Sequence, residues 1–220
     1  MGIIFDKGRS IMTSYLNSKF VENIDKTKIN TIIELGTREG NDAKALCNFY
    51  QTADIHAFEC NPNMLNTTRL NLKDIDRISL HEVAVGEVND NIDFYPATNP
   101  GASSIFEKAI LGNWWGNLTK CKVDCVRLDD YLPSIGVTSV DLICADIQGG
   151  EMGALKGMSN MIKDTKYIIL ETPKNNPTYE GAPSKDDIYI FMEHLSFIPV
   201  VVVSENNVEE NVLFKNNTET

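Results

Sequence analysis

This chain has no G-x-G-x-x-G triplet, no lysine or arginine cluster, no apolar run of membrane-spanning length, and only three histidines. The missing basic cluster, with a net charge of −11 from 20 Lys and Arg against 31 Asp and Glu, argues against a nucleic-acid binder, because phosphate contacts need a concentrated basic surface. An anionic membrane surface is disfavoured for the same reason. The opening MGIIFDKGRS lacks the long apolar core of a signal peptide, and VVVV at 200–203 is only a strand's worth. The chain reads as soluble and cytoplasmic. Its five cysteines (Cys47, Cys60, Cys121, Cys125 and Cys144) are odd in number and scattered through apolar segments, as reduced, packed thiols are. Cys121 and Cys125 fall short of a zinc site, since a tetrahedral site needs further ligands.

What is present is an alternation of strand and helix patterns. A length of 220 residues, 42% hydrophobic and 23% charged, suits one α/β domain with a full core. Residues 8–24 carry Ile11, Tyr15, Leu16, Phe20 and Ile24 on one helical stripe. Strands are expected at 31–36, 55–60, 78–85, 140–147 and 167–171. Helices are expected behind Asn41, behind Pro62, behind Gly149-Gly150 and across 185–196. The alternation predicts a doubly wound, mainly parallel sheet. The chain closes with FIPVVVV and NVLFK around a polar SENNVEEN, the pattern of an antiparallel hairpin. Between strands three and four, residues 90–130 read as short strands and loops inserted over the ligand face. The domain itself spans 31–215, after an N-terminal helical segment at 1–30 and before a frayed tail at 216–220.

Four strands end in an acid: Glu34, Glu59, Asp146 and Glu171. Ligands of open α/β sheets bind beyond the carboxyl ends of the strands, so these positions converge. Strand one runs into Gly36-Thr37-Arg38-Glu39-Gly40, whose glycines let backbone approach a ligand at a helix N-terminus. Glu59 follows Glu34 by 25 residues, where a carboxylate can accept from both ribose hydroxyls. Arg38 stands where a dinucleotide fingerprint needs its second glycine, which argues against a dehydrogenase.

From 31 to 172 these segments resemble the FkbM family of class I methyltransferases. IIELGTREG is similar to the family's acid-x-Gly-x-x-x-Gly turn and AFECNP to its second-strand segment. EVAVGEVNDNIDFY with GASSI resembles its third strand, hairpin and Ser-Ser element, and VRLDDYL is similar to its Leu-Asp-Asp segment. VDLICADIQGGEMGALKGM resembles its fourth-strand block, and YIILE its closing strand. Cys144 replaces the block's usual lysine, and Gln148 a common glutamate, so position 148 holds no base.

The resemblance implies a seven-stranded Rossmann-like methyltransferase sheet and S-adenosyl-L-methionine (SAM) as cofactor. The implied cofactor residues are Glu34, Leu35, Gly36, Thr37, Arg38, Gly40 and Asn41, then Glu59 and Cys60, Val83 and Ala84, and Asp146. Family members methylate hydroxyls of sugars or polyketide-type metabolites, which implies O-methyl transfer to a small-molecule or glycan acceptor. A sugar hydroxyl is a poor nucleophile, so a base or a metal is expected beside it. Asp146 is the first candidate base and Glu171 the second, and the two could instead hold magnesium or manganese, with Glu151 a weaker third ligand. His81 is a lesser candidate base. On the acceptor side, Trp114 and Trp115 could stack on a sugar ring, Ser103 and Ser104 could line the cleft, and Tyr179 could belong to a lid. The competing readings are a methyltransferase of another metabolite and a non-catalytic SAM- or nucleotide-binding module.

Overall fold

The computed structural model describes residues 13–107, 109–110 and 115–218. In chain order the elements are α1 (Ser18–Val21), β1 (Thr31–Leu35), α2 (Asn41–Phe49), β2 (Asp54–Phe58), α3 (Leu65–Leu72), β3 (Ile78–His81), β4 (Ala84–Val85), β5 (Asp90–Phe94), β6 (Cys121–Val126), α4 (Leu128–Ser134), β7 (Leu142–Ala145), α5 (Glu151–Lys156), β8 (Tyr167–Pro173), α6 (Lys185–His194), β9 (Phe197–Ser204) and β10 (Glu209–Asn216). The main sheet has seven strands in the order β3-β2-β1-β7-β8-β10-β9. β1 pairs in parallel with β2 and β7, β2 with β3, and β7 with β8. β10 runs antiparallel to both β8 and β9, which is the expected terminal hairpin. No helix among the described residues is long and apolar enough to cross a membrane.

The central strands are apolar on both faces, and alternate residues feed two cores. Ile33, Ile143, Ala145, Ile168 and Leu170 pack with Leu132, Leu155, Ile188 and Met192 of α4, α5 and α6. Ile32, Leu142, Cys144 and Ile169 pack with Tyr15, Phe20, Ala43, Leu46 and Leu72 on the opposite face. This is the double winding, and it explains the near-continuous apolar runs. At the amino ends of the strands Asp141 accepts from the backbone N–H groups of Asn30 and Thr31 (2.7 and 3.0 Å) and pairs with Lys166 (2.5 Å), holding β1, β7 and β8 in line.

Several sequence expectations are corrected. The single helix at 8–24 is a 3₁₀ turn at Ser14–Leu16 and the one-turn α1, because Asn17 takes an extended conformation (ψ 135°) and caps α1 instead of continuing a helix; residues 8–12 lie outside the described residues. The single strand at 78–85 is two strands in different sheets. β3 ends at His81, and β4 joins β6 and β5 in a small three-stranded sheet. Asn216, placed with the tail, is the buried last residue of β10, and its amide donates to Lys163 O and Thr165 O (both 2.9 Å).

Candidate active site

The carboxyl ends of β1, β2 and β7 meet in one cleft of about 360 Å³, within the range for small-molecule sites. Its floor is stitched by backbone. Gly36 N–H and Thr37 N–H donate to Phe58 O (3.0 and 3.1 Å), and Asp146 N–H donates to Leu35 O (3.1 Å). Gly36 turns at φ 88°, with a Cβ there 2.1 Å from the Asp146 carbonyl oxygen, so no side chain fits. Gly40, at φ 82°, is the N-cap of α2 and packs on Leu72.

Of the residues expected from the sequence, Leu35, Gly36, Thr37, Arg38, Asn41, Glu59, Cys60, Val83, Ala84, Ser103 and Asp146 line this cleft. Glu59 accepts from Arg38 N–H at Oε2 (2.8 Å) and from Asn61 N–H at Oε1 (2.6 Å). Burial raises its pKa against the pull of those N–H groups. Ser103 Oγ is fixed between the Asn61 amide (3.1 Å) and Ala97 N–H (3.0 Å).

Others lie behind the surface. Glu34 is fully buried, with only the adjacent Thr37 hydroxyl near its carboxyl, and the pair makes no hydrogen bond of good geometry. Burial holds the Glu34 carboxyl well above its ordinary range, reinforced by the nearby acids Asp42, Glu59 and Asp146. Glu171 and Tyr179 line a separate small cavity, and Ser104 is buried. Trp115 is half-buried outside the cleft lining, its carbonyl accepting from Asn99 N–H (3.1 Å), and Trp114 lies outside the described residues. His81 is packed between His56 and Tyr131, its ring nitrogens 3.0 and 3.1 Å from their polar atoms. Burial lowers its pKa to about 4, so it serves the core.

Sequence reasoning missed seven cleft-lining polar residues: Thr13, Ser14, Glu39, Asp42, Asn61, Gln148 and Glu205. Asp42 carried a signal as the acid in the first turn of α2. Glu205 carried none, because only the C-terminal hairpin brings it to the cleft.

Asp146 is exposed to the cleft and Glu171 stands half-buried behind it. Burial first, and then the Asp146, Glu209 and Glu151 carboxyls, hold Glu171 well above the carboxylate range. The Gln148 amide nitrogen donates to Asp146 Oδ1 (2.8 Å) and to Glu171 Oε2 (2.9 Å). Glu151 is spoken for. Its Oε1 accepts from Ile147 N–H (2.8 Å) and Gly149 N–H (3.4 Å), and burial raises its pKa to about 7. The donor set between Asp146 and Glu171 does not fit the magnesium or manganese considered from the sequence: an NH₂ group, itself no metal ligand, points at both carboxyls.

The methyltransferase FkbM domain matches residues 23–199. The chain is 28% identical over 195 residues to the 2-O-methyltransferase NoeI of Sinorhizobium fredii, an alignment covering 84% of this chain and 79% of that protein. The fold is similar to the fibrillarin pre-rRNA processing protein of Methanococcus jannaschii (TM-score 0.53, 13% identity, 87% of this chain and 68% of that one). It is also similar to the putative RNA methyltransferase PH1948 of Pyrococcus horikoshii (TM-score 0.51, 8% identity, 92% and 79%). At such identities the two structures speak for the fold alone. The domain match spans most of the chain, Glu59 and Asp146 of the cleft included: the protein belongs to the FkbM methyltransferase family.

Proposed function

We propose that this enzyme transfers the methyl group of SAM to a hydroxyl of a sugar or glycan, with Asp146 as the base. The carrying observation is the convergence, in one cleft, of the Gly36–Arg38 turn, Glu59 and the exposed Asp146. The residues fit the cofactor. Each Glu59 oxygen takes one backbone N–H and keeps lone pairs for the ribose diol. The Thr37 hydroxyl, with Glu34 behind it, keeps acceptor lone pairs that the ammonium of the methionine portion can fill. When bound, SAM supplies a methyl already activated by its sulfonium, so the C–S electron pair leaves to sulfur as the acceptor oxygen forms the new C–O bond.

The protein's work is then positioning and proton removal. Asp146 accepts the hydroxyl proton as the C–O bond forms, and its exposure to the cleft lets it release that proton to solvent. Burial and the neighbouring acids raise the pKa of Glu171, the second candidate base, whereas Asp146 faces the cleft directly. The hydroxyl acceptor is supported by the 2-O-methyltransferase relative, and the sugar by the family resemblance.

Calorimetry with S-adenosylhomocysteine (SAH) against NAD tests the cofactor half, and a panel of saccharides with methyl-labelled SAM, followed by linkage analysis, tests the acceptor half. SAH binding without NAD binding, and label in a methyl ether with chelator present, are expected. No SAH binding, or label on nitrogen only, overturns the reading.

A further inference from the structure

Gln148 is buried and held at φ 54°, a left-handed conformation unusual for a residue with a side chain. Its carboxamide uses its whole hydrogen-bonding geometry. The nitrogen bridges Asp146 Oδ1 and Glu171 Oε2 at 2.8 and 2.9 Å, and Oε1 lies 2.8 Å from the Tyr179 hydroxyl. Tyr179 is itself buried, and its hydroxyl is also within 3.1 Å of Ala102 O. The main-chain carbonyl of Gln148 accepts from Ser104 Oγ at 2.7 Å, and that hydroxyl receives Phe106 N–H at 3.0 Å. Ser104 and Tyr179, expected from the sequence at the acceptor, thus both meet Gln148.

We propose that Gln148 is the positioning residue of the methyl transfer: its amide clamps Asp146 by Oδ1 against the second carboxyl, in the one orientation that presents Asp146 to the acceptor hydroxyl. This rests on Asp146 being the base. Only an amide serves here. Two donors on one nitrogen reach two carboxyl groups at once, whereas a glutamate at 148 offers one donor when protonated and none when ionised. The carboxyls set the direction of the amide, because turning it over would aim Oε1 at both of them, and the Tyr179 hydroxyl anchors the other end by donating to Oε1.

The test compares pH profiles of kcat/KM for the acceptor in the wild type, Gln148→Met, Gln148→Glu and Asp146→Asn, each with SAH affinity measured alongside. Gln148→Met is expected to keep SAH affinity within about twofold and to lose about tenfold to a hundredfold in kcat with little change in KM. Gln148→Glu is expected to work only on the acid side of the wild-type profile, failing as the third carboxyl ionises. Wild-type kcat in Gln148→Met, with Asp146→Asn inactive, would overturn the role of Gln148 and leave the base standing. Weakened SAH binding in Gln148→Met would make the residue structural and likewise overturn the role. Full activity in Asp146→Asn would remove the base, and the brace with it.

Discussion

Gly36 sits so close under Asp146 that a methyl group on its Cα would meet the Asp146 carbonyl oxygen at 2.1 Å. The turn after β1 and the end of β7 are therefore one mechanical unit, joining the residues assigned to the cofactor with the candidate base. Gly36→Ala must push the two backbones apart and also carry a side chain at φ 88°, which costs about 1–2 kcal/mol by itself. We expect a lowered unfolding midpoint together with a loss of SAH affinity of at least about tenfold, read by calorimetry. Unchanged affinity would show that the turn does not hold the cofactor.

Glu59 is positioned by Arg38 and Asn61 N–H groups, one to each oxygen. Glu59→Gln puts an NH₂ group against one of those donors and removes half of the acceptor capacity facing the ribose. SAH affinity should fall about tenfold, roughly 1.4 kcal/mol, while the unfolding midpoint falls far less than in Gly36→Ala. An affinity equal to wild type would take Glu59 out of the ribose site.

Glu151 predicts a pH dependence of stability. Its folded pKa, about 7, lies above the unfolded value near 4.5, so the folded state holds the extra proton between those limits. Its contribution is fully present below pH 4.5 and is lost as pH rises through 7. A shift of this size corresponds to about 3 kcal/mol. Glu151→Gln keeps an acceptor for Ile147 N–H without the titration. The stability of wild type relative to this variant should therefore decline from pH 4.5 to 7 in chemical denaturation. A difference that is flat across that window would contradict the burial argument.

The sheet was legible because its strands are apolar on both faces, as in Thr31–Leu35 and Leu142–Ala145, and because an acid or glycine marks each carboxyl end. Two places resisted for local reasons. Asn17 serves as a cap within an apolar stripe, and His81 ends a strand whose apolar pattern runs on to Val85 in another sheet. The cleft was legible from Gly36, Glu59 and Asp146, since short loops fix them at neighbouring strand ends. The Gln148 bridge was not, because it depends on Glu171, Tyr179 and Ser104 arriving from three distant segments. The tryptophans illustrate the converse. Trp115 looks like a sugar platform in sequence, yet it lies outside the cleft lining.

The most direct test of the central claim is transfer of labelled methyl from SAM to a saccharide hydroxyl by wild type and by Asp146→Asn, with SAH affinity measured on both. The account predicts that wild type forms the methyl ether, and that the variant binds SAH as wild type does but transfers about 10²- to 10⁴-fold more slowly. Wild-type rates of ether formation in Asp146→Asn would contradict it.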